Sequence, residues 1–206
     1  MKLYDARRAP NPRRVRWFMD EKGIDDIEIV GLDLLAGDHK TPEYLARSGL
    51  PNTPALTLDS GATITESLAI CRYLESCYPT PNLFGRTPEE IAVIEMWTRR
   101  AELLTAYPLM MAVRHTHPGL AALEANQSAE FGQLNRVTAE RSLRLFDKRL
   151  ADSPWIAADR ISIADGVMFI GMDFARLVKF QIPEELANLT RWMGAMRERP
   201  SAMAGV

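Results

Sequence analysis

The segment Thr53-Pro54-Ala55-Leu56-Thr57-Leu58-Asp59-Ser60-Gly61-Ala62-Thr63-Ile64-Thr65-Glu66-Ser67 decides how the first part of the chain is read. Residues 55–58 and 62–65 are short alternating runs, and Asp59-Ser60-Gly61 between them is turn chemistry, so the stretch predicts an antiparallel hairpin. Upstream, residues 2–5 predict a strand. Asn11 as N-cap and Pro12 at the first helical position then open a helix that Gly23 closes. Ile27-Glu28-Ile29-Val30 alternates into a second strand, and Thr41-Pro42-Glu43 opens a short helix ended by Gly49. Downstream, residues 66–77 take helical spacing through Leu68, Ala69, Ile70, Tyr73 and Leu74.

The resulting order, βαβαββα, closes on an antiparallel hairpin. A Rossmann half would need further parallel crossovers at that point. The order suits a thioredoxin-like sheet instead. After Tyr78 the punctuation changes: Pro79, Pro81 and Gly85 predict a linker over 79–87, and Thr87-Pro88-Glu89-Glu90 combines a capping box with a first-turn proline. Everything beyond is helical in pattern, with helices expected over 88–114 (kinked at Pro108), about 128–152 and 162–180, and a last one from Pro183 to before Pro200. The expectation is therefore α/β plus all-α: a thioredoxin-like domain at 1–78, a linker at 79–87 and an all-helical domain at 88–206.

Composition narrows the function classes. Of 206 residues, 47% are hydrophobic and 25% charged, the ordinary mix of a chain that buries a core. The net charge is −2, with 10 basic against 12 acidic residues up to Thr80 and equal numbers after it. No basic surplus exists to attract nucleic acid or an anionic membrane. No window approaches the roughly 18 apolar residues of a membrane span, and Lys2-Leu3-Tyr4 begins without an apolar signal segment, so a soluble, cytoplasmic protein is expected. Cys71 and Cys77, six apart in a helical pattern, fall on opposite sides of a helix. That spacing suits neither a disulfide nor a metal site, and both are expected to be buried, reduced thiols.

Two short motifs flank the hairpin. Proline has no N–H for a ladder, so Pro54 at a strand start is either an edge device or a cis bond that turns the preceding backbone outward. In the second case Thr53 can pair its N–H and C=O with an extended, peptide-like ligand. Glu66-Ser67 opens a helix whose free N–H groups and positive dipole end suit a carboxylate; Ser67 adds a hydroxyl and Glu66 a charge for an ammonium. Alone, Thr65-Glu66-Ser67 is simply a helix cap, and Lys40, in the loop before the second helix, a solvated lysine. In company they can hold the carboxylates and ammonium of an amino-acid-like ligand.

Thr53-Pro54, the hairpin and Glu66-Ser67 together resemble the glutathione-binding elements of the cytosolic glutathione transferase family. Ser162-Ile163-Ala164-Asp165 is similar to the family's capping box before the core helix of its helical domain, and Arg199-Pro200-Ser201 to its usual ending, so the resemblance spans the whole chain. It implies a thioredoxin-like domain plus a helical domain, usually as a homodimer, with glutathione as co-substrate. On this resemblance Glu66 and Ser67 would hold the γ-glutamyl end, Thr53 would pair with the cysteinyl part beside cis-Pro54, Lys40 would meet the glycine carboxylate, and Asn52 would assist.

The sequence departs from the family where the sulfur is activated. Members usually carry Tyr, Ser or Cys there; here the loop is Ala6-Arg7-Arg8-Ala9-Pro10-Asn11-Pro12, and Ala9 occupies what resembles the usual Ser position, so no hydroxyl is present. Asn11, like the asparagine some bacterial members use, is the candidate catalytic residue, aided by the helix N-terminus, which favours a thiolate. As an N-cap it would have a purely structural role, and Tyr4 on the first strand competes. Arg7, Arg8, Arg13, Arg14 and Arg16 put five arginines within ten residues, read mostly as a solvated face paired with Asp20 and Glu21. Tyr107, Met110, Met111 and Arg114 around Pro108 are candidates to line a pocket for a small-molecule electrophile, although core packing explains the methionines equally. The expected activity is glutathione conjugation in a detoxifying role. A glutathione-dependent disulfide or peroxide reductase, and a non-enzymatic interaction protein on the same fold, are the alternatives.

Overall fold

The computed structural model describes all 206 residues and divides into two compact units, residues 1–81 with 200–206, and residues 82–199. The first unit runs β1 (Lys2–Asp5), α1 (Pro10–Lys22), β2 (Glu28–Gly31), α2 (Pro42–Ser48), β3 (Ala55–Thr57), β4 (Thr63–Thr65) and α3 (Ser67–Cys77). The sheet order is β2-β1-β3-β4, with β1 parallel to β2 and the other pairs antiparallel, as the hairpin segment predicts. Leu3 and its register partner Leu56 are fully buried, together with Val15, Trp17 and Phe18 of α1 and Ile70 and Leu74 of α3. Tyr4 takes the alternate face, where its ring meets Tyr44 of α2 edge-on at 6.0 Å.

Several local signals act as expected and others shift. Gly23 and Gly49 end α1 and α2 at φ +65° and +74°, the left-handed region that glycine enters without strain. Thr41 caps α2 by accepting the Tyr44 N–H at 3.3 Å. The start of α1, however, lies two residues before its expected place. Ala9 is the N-cap, its carbonyl accepting the Arg13 N–H at 3.0 Å, so Asn11 is the second helical residue and makes no cap bond. The prolines at 10 and 12 fall where a helix needs no N–H, which permits this earlier start. Cys71 is buried, and burial pushes its thiol up to about 12; Cys77, also expected inside, is exposed at the end of α3. Arg13 and Arg14 are buried rather than part of a solvated face. Residues 200–206, expected in the helical domain, pack with the α/β unit as a 3-10 turn (Pro200–Met203) and a short tail.

The second unit contains α4 (Pro88–Arg100), α5 (Tyr107–Thr116), α6 (Ala129–Ala151), α7 (Ile163–Phe174) and α8 (Ala187–Arg197). Between α4 and α5 lies a π-helical segment, Ala101–Ala106, in place of the simple kink expected at Pro108. Ile163 through Met172 of α7 are all buried, making it the unit's central helix. A Cβ on Gly171 would stand 2.5 Å from Ala106 Cβ, so the two backbones cross at a distance only glycine allows. The capping box of α7 forms: Asp165 Oδ2 accepts the Ser162 N–H and hydroxyl, both at 2.9 Å, while Oδ1 accepts the Ile156 N–H at 3.0 Å and the Trp192 indole at 2.9 Å. Burial raises the Asp165 carboxyl pKa against the pull of these donors. At α4 only half the expected box forms, because Glu90 caps the Arg86 N–H while its own N–H goes to Thr87. The segment expected as linker is ordered by Leu83 and Phe84, which are buried, and by paired bonds between Asn82 and Gly85. The last helix begins at Ala187, after a turn closed by Leu186 N–H to Pro183 C=O. No helix is long and apolar enough to cross a membrane.

Candidate functional site

The register of the sheet gathers the hairpin motifs at one edge. Ala55 pairs with Thr65 in the β3–β4 ladder and with Tyr4 in the β1–β3 ladder. The paired residues end at Ala55 and Thr65; beyond them one strand is preceded by Thr53-Pro54 and the other runs into Glu66-Ser67, while beyond Tyr4 the first strand runs into Asp5 and Ala6, so all three segments lie at the same end of the sheet. The N-termini of α1 and α3 therefore leave from the same end of the sheet.

Each expected residue can be placed. The Thr53–Pro54 peptide bond is cis, and neither the N–H nor the C=O of Thr53 is bonded within the chain. Glu66 is exposed, with φ +67°, ψ 118°, and its carboxylate has no partner in the chain; a non-glycine residue held there is a strained conformation of the kind that collects at ligand sites. Ser67 is buried as the first residue of α3. Asn52 is exposed, and its carbonyl accepts the Tyr44 hydroxyl, so a residue the sequence did not single out fixes the loop before Thr53. Lys40 ends a 3-10 turn (Asp38–Lys40), exposed and unpaired.

A buried cation stands behind this edge. Arg14, 3% exposed, donates to the Ser67 hydroxyl at 2.9 Å from the middle of α1. Arginine only donates, so the Ser67 oxygen accepts on that side and its own proton is left for an acceptor such as a carboxylate. Only the helical arginine cluster hinted at this in the sequence; the partner lies 53 residues away. Asp5, at the end of β1, is buried too, and burial raises its carboxyl pKa despite the nearby Arg16 charge.

At the α1 terminus Asn11 is half-buried. Pro10 and Pro12 have no N–H and the Arg13 N–H is bonded to Ala9, so Asn11 brings the one uncommitted backbone N–H of the first turn, beside its side-chain amide. The wider set of free N–H groups expected there is absent. Tyr4 is not at this edge: its ring lies under the Arg47 guanidinium, 4.9 Å from the ring centre, and lines an open groove of about 470 Å³ with Met1, Lys2, Glu28, Thr57, Leu58 and Asp59. In the helical unit, Tyr107 is exposed, and Met110 is half-buried one turn on. Arg114 is tied to the loop before α6 through Glu124 at 2.8 Å and the Leu123 carbonyl at 2.9 Å.

Comparison with known proteins gives a consistent result. The model of the glutathione S-transferase N-terminal domain matches residues 9–77, and that of the C-terminal domain matches residues 104–200. Glutathione S-transferase 2 of Saccharomyces cerevisiae is 38% identical over 203 residues, covering 98% of this chain and 87% of that protein. The crystal structure of Gtt2 from Saccharomyces cerevisiae superposes with a TM-score of 0.91 at 38% identity over 98% of both chains. A glutathione S-transferase domain-containing protein of Marinobacter aquaeolei VT8 gives 0.93 at 34% identity, over 98% of this chain and all of the other. Two domain models in sequence order and relatives matched from end to end put the resemblance beyond the hairpin motifs alone, and the chain belongs to the glutathione S-transferase family of enzymes.

Proposed function

We propose that this chain binds glutathione along the edge formed by Thr53, Pro54, Glu66 and Ser67 and transfers its thiolate to a small electrophile, as a cytoplasmic homodimer with a detoxifying role. The observation that carries the reading is the unbonded Thr53 backbone before cis-Pro54 at the same end of the sheet as Ser67, whose hydroxyl is held by the buried Arg14. The γ-glutamyl carboxylate meets the α3 N-terminus and the Ser67 proton, and Glu66 meets the ammonium. Thr53 pairs with the cysteinyl backbone, and Lys40 and Asn52 lie toward the glycine carboxylate. Asn11 then stabilises the thiolate through its amide and its free N–H, lowering the thiol pKa toward neutrality. Tyr107, Met110 and Arg114 shape the electrophile pocket. Holding thiolate and electrophile together supplies the rest of the rate enhancement.

The test is the ultraviolet thiolate absorbance of bound glutathione against pH. A bound thiol titrating well below the free value of about 8.5 supports the reading, and an unshifted thiol overturns it. One observation favours disulfide reduction as a second reading: no hydroxyl stands at Ala9, and exchange by glutathione's own sulfur needs none. Turnover on a mixed disulfide compared with an aromatic halide separates the two.

A further inference from the structure

Residues 200–206 lie along the loop that leads into α1. The Arg8 N–H donates to the Gly205 carbonyl at 2.8 Å, and Arg7 Nε donates to the Val206 carbonyl oxygen at 2.8 Å. The buried Arg13 guanidinium donates from Nε to the Ala204 carbonyl at 3.2 Å and from Nη2 to the Ala202 carbonyl at 3.0 Å. The Ser201 hydroxyl donates to the Glu21 carboxylate farther along α1. At the centre of these contacts Arg8 holds φ +67°, the left-handed region, and an arginine stays there only where its surroundings over-determine it. Gly205 is itself at φ +68°, and a Cβ on it would come 3.1 Å from Arg13 Cγ and 3.3 Å from Arg16 Cγ.

We infer that Gly205 and Val206 are positioning residues for the thiol-activating end of α1: they lock Arg8 in its left-handed conformation and so aim the Asn11 N–H. The inference rests on the proposed role of Asn11 at the glutathione sulfur. Between Arg8 and Asn11 stand only Ala9 and Pro10, and Pro12 follows. The Ala9 N–H is bonded to the Ala6 carbonyl and its C=O accepts the Arg13 N–H, both at 3.0 Å, and Pro10 fixes its own φ, so little freedom is left between Arg8 and Asn11 to absorb a rotation at Arg8. A donor moved off the sulfur no longer favours the thiolate.

The experiment compares the thiol titration of bound glutathione in the full chain, in Gly205→Ala, and in a chain ending at Ala204. Arg7, Arg13, Arg16 and Asp5 keep their charges in all three; ending the chain at Ala204 puts a carboxylate on the Arg13 guanidinium, whereas Gly205→Ala moves no charge at all and is the electrostatic control. The truncation is expected to raise the bound thiol pKa by about one unit toward its free value, and Gly205→Ala to raise it by less. Affinity for S-methylglutathione, which has no thiol, is expected to stay within about twofold in both variants, since Thr53, Glu66 and Ser67 are untouched. Arg8→Asn placed in the truncated chain is expected to bring the thiol pKa back down, because asparagine tolerates the left-handed region unaided; the same change in the full chain controls for the lost charge. A general loss of structure would instead weaken S-methylglutathione binding and gain nothing from Arg8→Asn, and that pattern overturns the inference. If the truncated chain does not fold, Gly205→Ala decides alone. A bound thiol that stays low in that variant overturns the positioning role while leaving the transferase reading intact. A full chain that leaves the thiol at its free value overturns both.

Discussion

Arg14 and Ser67 share one buried hydrogen bond of 2.9 Å, and the serine is its acceptor. The direction matters, because it leaves Ser67 a single proton to give. Ser67→Ala is expected to weaken glutathione binding by about 1–3 kcal/mol, the range for a hydrogen bond to a charged group. Isothermal titration calorimetry reads it directly, and an unchanged Kd would remove Ser67 from the site. Arg14→Met is expected to weaken the same interaction while also lowering the unfolding midpoint, since it strips a buried hydroxyl of its partner.

The two thiols should separate cleanly in a chemical assay. Cys71 is fully buried with its pKa pushed up to about 12, whereas Cys77 is exposed. A thiolate-selective reagent at neutral pH is expected to modify one cysteine in the native protein and both in denaturant. Two rapid equivalents from the native protein would contradict the placement of Cys71.

Much of the fold is legible in the sequence because its signals are local. Gly23, Gly49, Thr41-Pro42 and the hairpin turn each act within a few residues, and each marks a boundary the structure keeps. Ala9 gives no such signal, since it has no side chain that can cap, and so the sequence points to a start of α1 two residues later than the true one. Arg13 and Arg14 read as surface residues because their partners, the tail carbonyls and Ser67, are remote in sequence. The π-helical segment leaves no local signal for a similar reason: it sits where Gly171 closely approaches Ala106, a contact between residues of two separate helical stretches. At the candidate site, Thr53-Pro54 and Glu66-Ser67 were legible as motifs, while Tyr44 and Arg14, which hold them from behind, were not.

That crossing is itself testable. Gly171→Ala would place a methyl group 2.5 Å from Ala106 Cβ and 2.6 Å from its Cα, so backbone has to move. A loss of about 1–3 kcal/mol is expected, as for other overpacked cores, measured as a shift in the urea midpoint at constant m. A neutral result would mean that α7 and the π-helical segment can slide apart freely.

Asp165 holds four donors from three places in the chain. Asparagine keeps the shape but turns a donor toward donors, so Asp165→Asn is expected to cost roughly 2–5 kcal/mol. Denaturant unfolding followed by tryptophan fluorescence is a suitable readout, because Trp192 is one of the four donors.

Acid sensitivity should come partly from Glu90. The Arg160 guanidinium, with help from the Arg86 N–H, holds its carboxyl below the ordinary 4.5. A depressed acid stabilises the fold fully above that ordinary value and loses the contribution as pH falls through the depressed one. Arg160→Gln is therefore expected to lower Tm at neutral pH by a small amount, the two side chains being 30% and 24% exposed. The difference between the two proteins should shrink in strong acid; a gap that persists there would point to the hydrogen bond that Arg160 donates to the Asn82 side-chain oxygen instead.

The β3–β4 register has one more consequence. The pairing of Ala55 with Thr65, which leaves Thr53 and Ser67 at one end, sends the tip, Asp59-Ser60-Gly61, to the far end of the hairpin. Residues inserted at that tip lengthen a free end without changing which positions face each other at the anchored one. Evolution, or a protein engineer adding a label, can therefore vary the length of this loop while the ligand-holding pairs keep their spacing.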